Sequence, residues 1–192
     1  MDERRSATPP GNAVPAVRHP EAPAVGEQII SHYAKCFGCG VDHPTGLHLL
    51  VYAGEGVSNR AELVVTEHHQ GAPGLAHGGL LAAAIDEALG SLNWLLRRPA
   101  VTARLETDFV RPVPVGTRLF IAGEVVGVAG RRIYTRAEGR LDAPDGPLAL
   151  TAAAVFVAVP LEHFSTHGRP QDVEAARTTA AHAEVRSYEV NP

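Results

Sequence analysis

An α+β fold is what this sequence predicts: an antiparallel β-sheet wrapped around one long central α-helix. Three observations predict it. The segment from Gly78 to about Leu96 is apolar, rich in small residues and long enough for a helix. Two strand-like segments precede it and four follow it. One helix cannot cover both faces of a sheet, so the economical arrangement curls the sheet around it. The outer sheet face then needs a cover, which predicts an oligomer.

The elements follow in order. Residues 1–26 are rich in Pro, Ala and charge, lack periodicity and read as a disordered leader. Residues 27–164 form the folded domain, entered through Glu27 to Lys35 as a short helix or an extended segment. Leu47 to Ala53 and Val57 to Thr66 are strand-like around the turn Gly54-Glu55-Gly56. Glu67 to Leu75 reads as loop. The helix from Gly78 ends at Arg97-Arg98-Pro99. Its Gly79, Ala82, Ala83, Ala84, Ala88, Gly90 and Ser91 let other backbone come close, as burial requires.

Beyond the helix, Ala100 to Val110 and Thr117 to Val128 alternate. Arg131 to Leu141 does so most cleanly, with Ile133, Thr135, Ala137 and Leu141 opposite Arg132, Tyr134, Arg136, Glu138 and Arg140. Asp145-Gly146 marks a turn. Leu148 to Val159 is nearly continuously apolar, the pattern of a strand covered on both faces. Residues 165–192 form a polar tail, with Gln171 to Ala183 read as a peripheral helix or a frayed end.

Composition narrows the function. The chain has 192 residues and a net charge of −4. Without a long basic block, nucleic-acid binding is not expected. The start MDERRSATPP lacks the apolar core of a signal peptide, and Ala152 to Leu161, the best apolar run, is half a membrane span. The expectation is a cytoplasmic protein without a membrane partner.

The stretch QGAPGLAHGGLLAAAID, Gln70 to Asp86, carries the chemistry. A turn at Pro73-Gly74 delivers His77-Gly78-Gly79 to the helix start, where free backbone amides attract developing negative charge. Asp86 lies on an otherwise apolar helix, a costly placement for a carboxylate. Its neighbours Ala82, Ala83, Leu89 and Gly90 should raise its basicity by desolvation. Trp94 is read as bordering an apolar slot or as plain core.

GAPGLAHGGLLAAAIDEALG, followed by VTARLETDFVRPVPVGTRL, resembles the hotdog-fold acyl-CoA thioesterases of the PaaI-like type. The resemblance spans roughly Cys36 to Val159. It implies that the Gly78 amide polarises the thioester carbonyl and that Asp86 is general base or nucleophile. It also implies that Thr102 helps place the water while His77 lines the site. CFGCGVDHPTGL resembles an element found upstream in some members, with His43 where Asn is usual. Gly79, Gln70, Arg104 and Arg111 are the candidate substrate-binding residues. Arg97, Arg98, Arg131 and Arg132 join the last two as candidates for phosphate contacts, or simply keep the surface soluble.

Geometry adds a constraint. Asp86 lies eight residues beyond Gly78, roughly 12 Å along a helix axis. One thioester cannot touch both groups of one chain at ~3 Å. Either one of them is outside the site or two subunits share it, which predicts a homodimer or a dimer of dimers. Strand parity puts Thr102 with Arg104, Glu106 and Asp108. That face looks into the site across the dimer, or a bulge re-aims Thr102.

Cys36 and Cys39 with His43 and His48 resemble zinc-ligand spacing. All four crowd into thirteen residues around Pro44 and Gly46, and a reduced, structural pair is expected, without metal or organic cofactor. Glu87, turned by about 100° from Asp86, is read as a partner or interface residue, and His68 and His69 as solvent-facing. The leading expectation is an acyl-CoA thioesterase giving a carboxylic acid and free CoA. The alternatives are an enoyl-thioester hydratase or dehydratase, disfavoured because no His follows Asp86 on the helix, and a non-catalytic acyl-CoA or ligand-binding module.

Overall fold

The structure is a computed structural model and describes residues 6–181. Its order is β1 (Leu50–Ala53), β2 (Ser58–Val64), β3 (Gln70–Ala72), β4 (Leu75–Ala76), α1 (Gly78–Leu96), β5 (Ala100–Phe109), β6 (Arg118–Ala129), β7 (Arg132–Leu141), β8 (Leu148–Ala158), α2 (Glu162–His167) and α3 (Pro170–Ala181). Six strands form one antiparallel sheet in the order β1-β2-β6-β7-β8-β5. The small β3–β4 hairpin and the short helix α2 are missing from the pattern reading, which placed a loop at the hairpin. Three-residue and two-residue strands carry too little alternation to be seen in sequence.

Helix α1 forms because its apolar residues repeat at helical spacing. Leu81, Ala84, Ile85, Ala88, Leu89, Leu92, Leu95 and Leu96 are buried against the sheet, and each fully buried Leu or Ile stabilises by about 1.5–3 kcal/mol. At the start, His77 accepts the Gly79 amide through Nδ1. At the end, Arg97 turns left-handed (φ 50°) while the amides of Arg97 and Arg98 close onto the Trp94 and Asn93 carbonyls. A polar tether sets the helix depth. Asn59 of β2 donates to the Ala88 carbonyl and to Ser91 Oγ. A Cβ at Gly123 would come within 2.6 Å of the Asn59 amide oxygen, so β6 passes close only because that position is glycine.

The expected disordered leader is corrected for residues 6–26; residues 1–5 lie outside the described part. Val14 pairs with Val128, the His19 amide donates to the Leu95 carbonyl, and the Arg18 guanidinium donates to the Gly54 carbonyl. Ala7 is buried with Tyr134 and Val155 on the outer sheet face. Aperiodic composition misled because this segment is held by backbone pairing and one small side chain, which leave no hydrophobic period. Tyr134, grouped with the outward polar residues of β7, is thereby covered from within the chain. Glu27 to Lys35 contains no helix; Gln28 bridges Tyr52 beside β1. Of the expected tail, α3 covers Pro170–Ala181 and residues 182–192 lie outside the described part.

The sheet's edges differ. β1, four residues long, is flanked by the chain itself through Gly26, Glu27 and Ile29. β5, ten residues long, pairs only with β8 among the described residues and exposes Phe109, with Val110 just beyond it.

Candidate active site

The turn into α1 is built from its neighbours. Gln70 closes the β3–β4 loop, accepting the Gly74 amide at 2.6 Å and donating to the Glu67 carbonyl at 3.0 Å. His69 is buried, correcting the expectation that it faces solvent: its carbonyl accepts the His77 amide and its Nδ1 accepts the Thr66 amide. Burial holds its pKa below the ordinary value, helped by neighbouring His68. His68 is exposed as expected. The two glycine amides then part company. Gly79 N–H is taken by His77 Nδ1 at 2.9 Å, whereas Gly78 N–H has no partner among the described residues. It is the unused donor of a helix start, aligned with the helix dipole.

Asp86 and Thr102 meet within one chain. Thr102 Oγ1 donates to Asp86 Oδ1 at 2.9 Å. Parity alone would not predict this contact. β5 pairs Thr102 with Phe156 and Arg104 with Val155, so Ala103 is an extra residue in a bulge that re-aims Thr102 toward α1. Burial raises the Asp86 pKa, the Thr102 hydroxyl opposes that shift, and charge at Cys36 adds to it. Asp86 and Thr102 line a cavity of about 280 Å³ that is also bordered by His32, Glu87, Trp94 and Phe156. Trp94 thus both lines the cavity and packs on the core.

Gly78 lies elsewhere along β5. A Cβ at Gly78 would sit 3.5 Å from the Phe109 ring, at the far end of the strand from Thr102. Helix and strand run antiparallel, so one chain keeps the free amide and the carboxylate apart.

Glu87 is half-buried against the loop that carries the cysteines. Its Oε2 accepts from Cys36 Sγ at 3.4 Å, and its Oε1 is 4.0 Å from His32 Nδ1, which lies 3.6 Å from Cys39 Sγ. The four potential ligand atoms of His32, Cys36, Cys39 and Glu87 all lie within 4.8 Å of one another. Burial and the charge at Cys36 push the Glu87 pKa up to about 7. Hydrogen bonding from Cys39 lowers the Cys36 pKa, and the same contact with burial raises that of Cys39. Of the histidines considered from spacing, His43 instead meets Phe37 edge-to-face and accepts the Thr45 amide, and His48 is exposed. His32 and Glu87 were missed as thiol partners. The available signal was a second acidic residue beside Asp86 on a helix otherwise nearly free of charge.

The remaining candidates divide. Arg104 pairs with Glu106, and Arg111 donates to the Leu148 carbonyl at 2.6 Å; both are exposed on or just after β5. Arg97 pairs with Glu21 at 2.8 Å, which fixes the leader to the helix end. His77 and Gly79 are exposed at the turn.

With this geometry, the relatives are informative. Residues 73–145 match the Thioesterase superfamily model. Over that stretch the chain is similar to the thioesterase superfamily. It is 33% identical over 88 residues to acyl-coenzyme A thioesterase THEM4 of Xenopus laevis, covering 46% of this chain and 39% of that one. The chain thus spans about two fifths of the length of the curated relatives it matches. A solved thioesterase superfamily protein matches at 29% identity and TM-score 0.60, over 71% of this chain and 70% of that one. A mutant of the phenylacetic acid degradation protein PaaI from Thermus thermophilus matches at 26% and 0.53, over 59% and 95%. The hotdog fold read from sequence is therefore the fold of the structure. No helix among the described residues is long and apolar enough to cross a membrane.

Proposed function

We propose that this chain hydrolyses an acyl-CoA thioester to a carboxylic acid and free CoA, in a site shared by two copies. The observation that carries this reading is the Asp86–Thr102 pair at a cavity, separated along one helix from the unpartnered Gly78 amide. The Gly78 amide of one subunit donates to the thioester carbonyl oxygen. Asp86 of the other subunit takes a proton from water as the water adds to the carbonyl carbon. The C–S bond then breaks, and the CoA thiolate leaves and is protonated. Thr102 occupies Oδ1, leaving Oδ2 for the water. The second route has Asp86 attack directly, forming an anhydride that water opens. A preorganised amide at the developing oxyanion is worth about 2.7–4 kcal/mol of barrier.

The open β5 edge supports the sharing. The outer edge of a ten-residue strand, with exposed Phe109, forms a surface that soluble proteins ordinarily cover. A second copy, added antiparallel about a two-fold axis near Leu105, brings the Phe109 end of one strand against the Thr102 end of the other. Gly78 travels with Phe109 and Asp86 with Thr102, so each such pairing forms two composite sites. Whether two dimers associate further is a separate step of assembly.

Hydrolysis is favoured over hydration because His32, the histidine lining the cavity, directs Nδ1 toward Cys39 and Glu87. Free-thiol release from a panel of acyl-CoAs tests the reading. Wild type releases thiol and Asp86→Asn loses about 10²–10⁴ in kcat. Wild-type protein that binds acyl-CoA without releasing thiol would instead be a binding module.

A further inference from the structure

We propose that His32, Cys36, Cys39 and Glu87 form a structural zinc site that locks the CxxC loop to helix α1. The four donor atoms come from two places: a short loop supplies the imidazole and two thiols, and the helix supplies the carboxylate. Tetrahedral zinc with Zn–S near 2.3 Å and Zn–N or Zn–O near 2.0–2.2 Å requires neighbouring ligands roughly 3.3–3.8 Å apart. The contacts Cys36 Sγ–Glu87 Oε2 at 3.4 Å and Cys39 Sγ–His32 Nδ1 at 3.6 Å fall within that spacing, and one ligand atom from each of the four residues lies within 4.8 Å of the others. Two thiolates, an imidazole and a carboxylate suit zinc, while an iron–sulfur cluster ordinarily draws on more cysteines.

The loop's shape serves this convergence. A Cβ at Gly38 would lie 2.3 Å from Glu87 Oε2, so glycine there admits the carboxylate. A Cβ at Gly40 would meet the Cys36 amide nitrogen at 2.5 Å, so glycine there lets the chain fold back between the two cysteines. The Gly40 amide closes the knuckle onto the Cys36 carbonyl at 2.9 Å. Leu47 and Leu49 tie it to the chain entering β1 through the Phe37 and Gly38 carbonyls. Four protein ligands fill a tetrahedral ion, which makes the site a brace rather than a reaction centre. Its position gives the brace a purpose: Glu87 follows Asp86 directly, and His32 and Glu87 form part of the cavity wall.

The test uses untagged full-length protein, purified with reduced thiols, with metal measured by inductively coupled plasma mass spectrometry. Wild type is expected to carry one zinc per chain. Cys36→Ser/Cys39→Ser is expected to carry less than about a tenth of that, and Glu87→Gln to bind at least about tenfold more weakly. Because the double variant can fail to fold, cobalt(II) is also titrated into metal-stripped wild type. Thiolate-to-cobalt charge-transfer absorption with tetrahedral d–d bands supports the site. Wild type without stoichiometric metal and without those bands overturns it, as does full zinc retention by a folded double variant.

Discussion

Asp86 and Glu87 are adjacent on one helix, yet they meet different chemistry. Asp86 receives a hydroxyl hydrogen bond from an edge strand, and Glu87 meets two thiols and an imidazole from a loop about fifty residues earlier. Both are shifted upward by burial, so burial alone does not separate a reacting carboxylate from a bracing one. Their partners do. A hydroxyl leaves a carboxylate free to take a proton from water, whereas a ring of metal-ligating atoms occupies it.

Variants break or sharpen that contrast. Asp86→Asn keeps the shape and removes the base; kcat for thioester hydrolysis is expected to fall about 10²–10⁴-fold with little change in melting temperature. An equal loss from Glu87→Gln in fully metallated protein would erase the distinction. Thr102→Val removes a hydrogen bond to a charged group, worth about 1.5–3 kcal/mol. Steady-state kinetics should show roughly a ten- to hundredfold drop in kcat, with Thr102→Ser recovering most of it. Glu87→Gln should act first on metal retention, read by chelator competition, and only secondarily on turnover. The smallest effect belongs to Asn59→Ala, which loosens the tether at Ala88 without touching either carboxylate's partners. It should lower unfolding stability by about 1 kcal/mol in urea titration and leave kcat within a few-fold of wild type.

Much of this architecture could be read from the residues, for definite reasons. Helix α1 is long and strongly patterned, so its span was legible from Gly78 to Leu96. Strand β7 alternates over ten residues and was equally plain. Asp86 stood out because a charge on an apolar face is costly. Thr102 required a bulge at Ala103, and a one-residue insertion leaves no mark in a strand's composition. The neighbours of Cys36 and Cys39 were not legible from local spacing, which points to His43 and His48, because Glu87 comes from a distant element. The leader's docking was hidden for a related cause: backbone pairing such as Val14 to Val128 depends on what lies opposite, not on the segment's own pattern.

The central claim is that the Gly78 amide and Asp86 act on one thioester from different subunits. Gly78→Pro removes that amide at little structural cost. Proline is favoured at the first helical position, and the preceding His77 is already extended, at φ −72° and ψ 130°. The added Cβ meets only ordinary van der Waals contact at Phe109. The decisive measurement is thioesterase activity of a purified heterodimer pairing Gly78→Pro with Asp86→Asn, isolated through two different affinity tags. The account predicts one intact site and about half the wild-type activity, while each homodimeric variant stays near background; a heterodimer as inactive as both parents would contradict it.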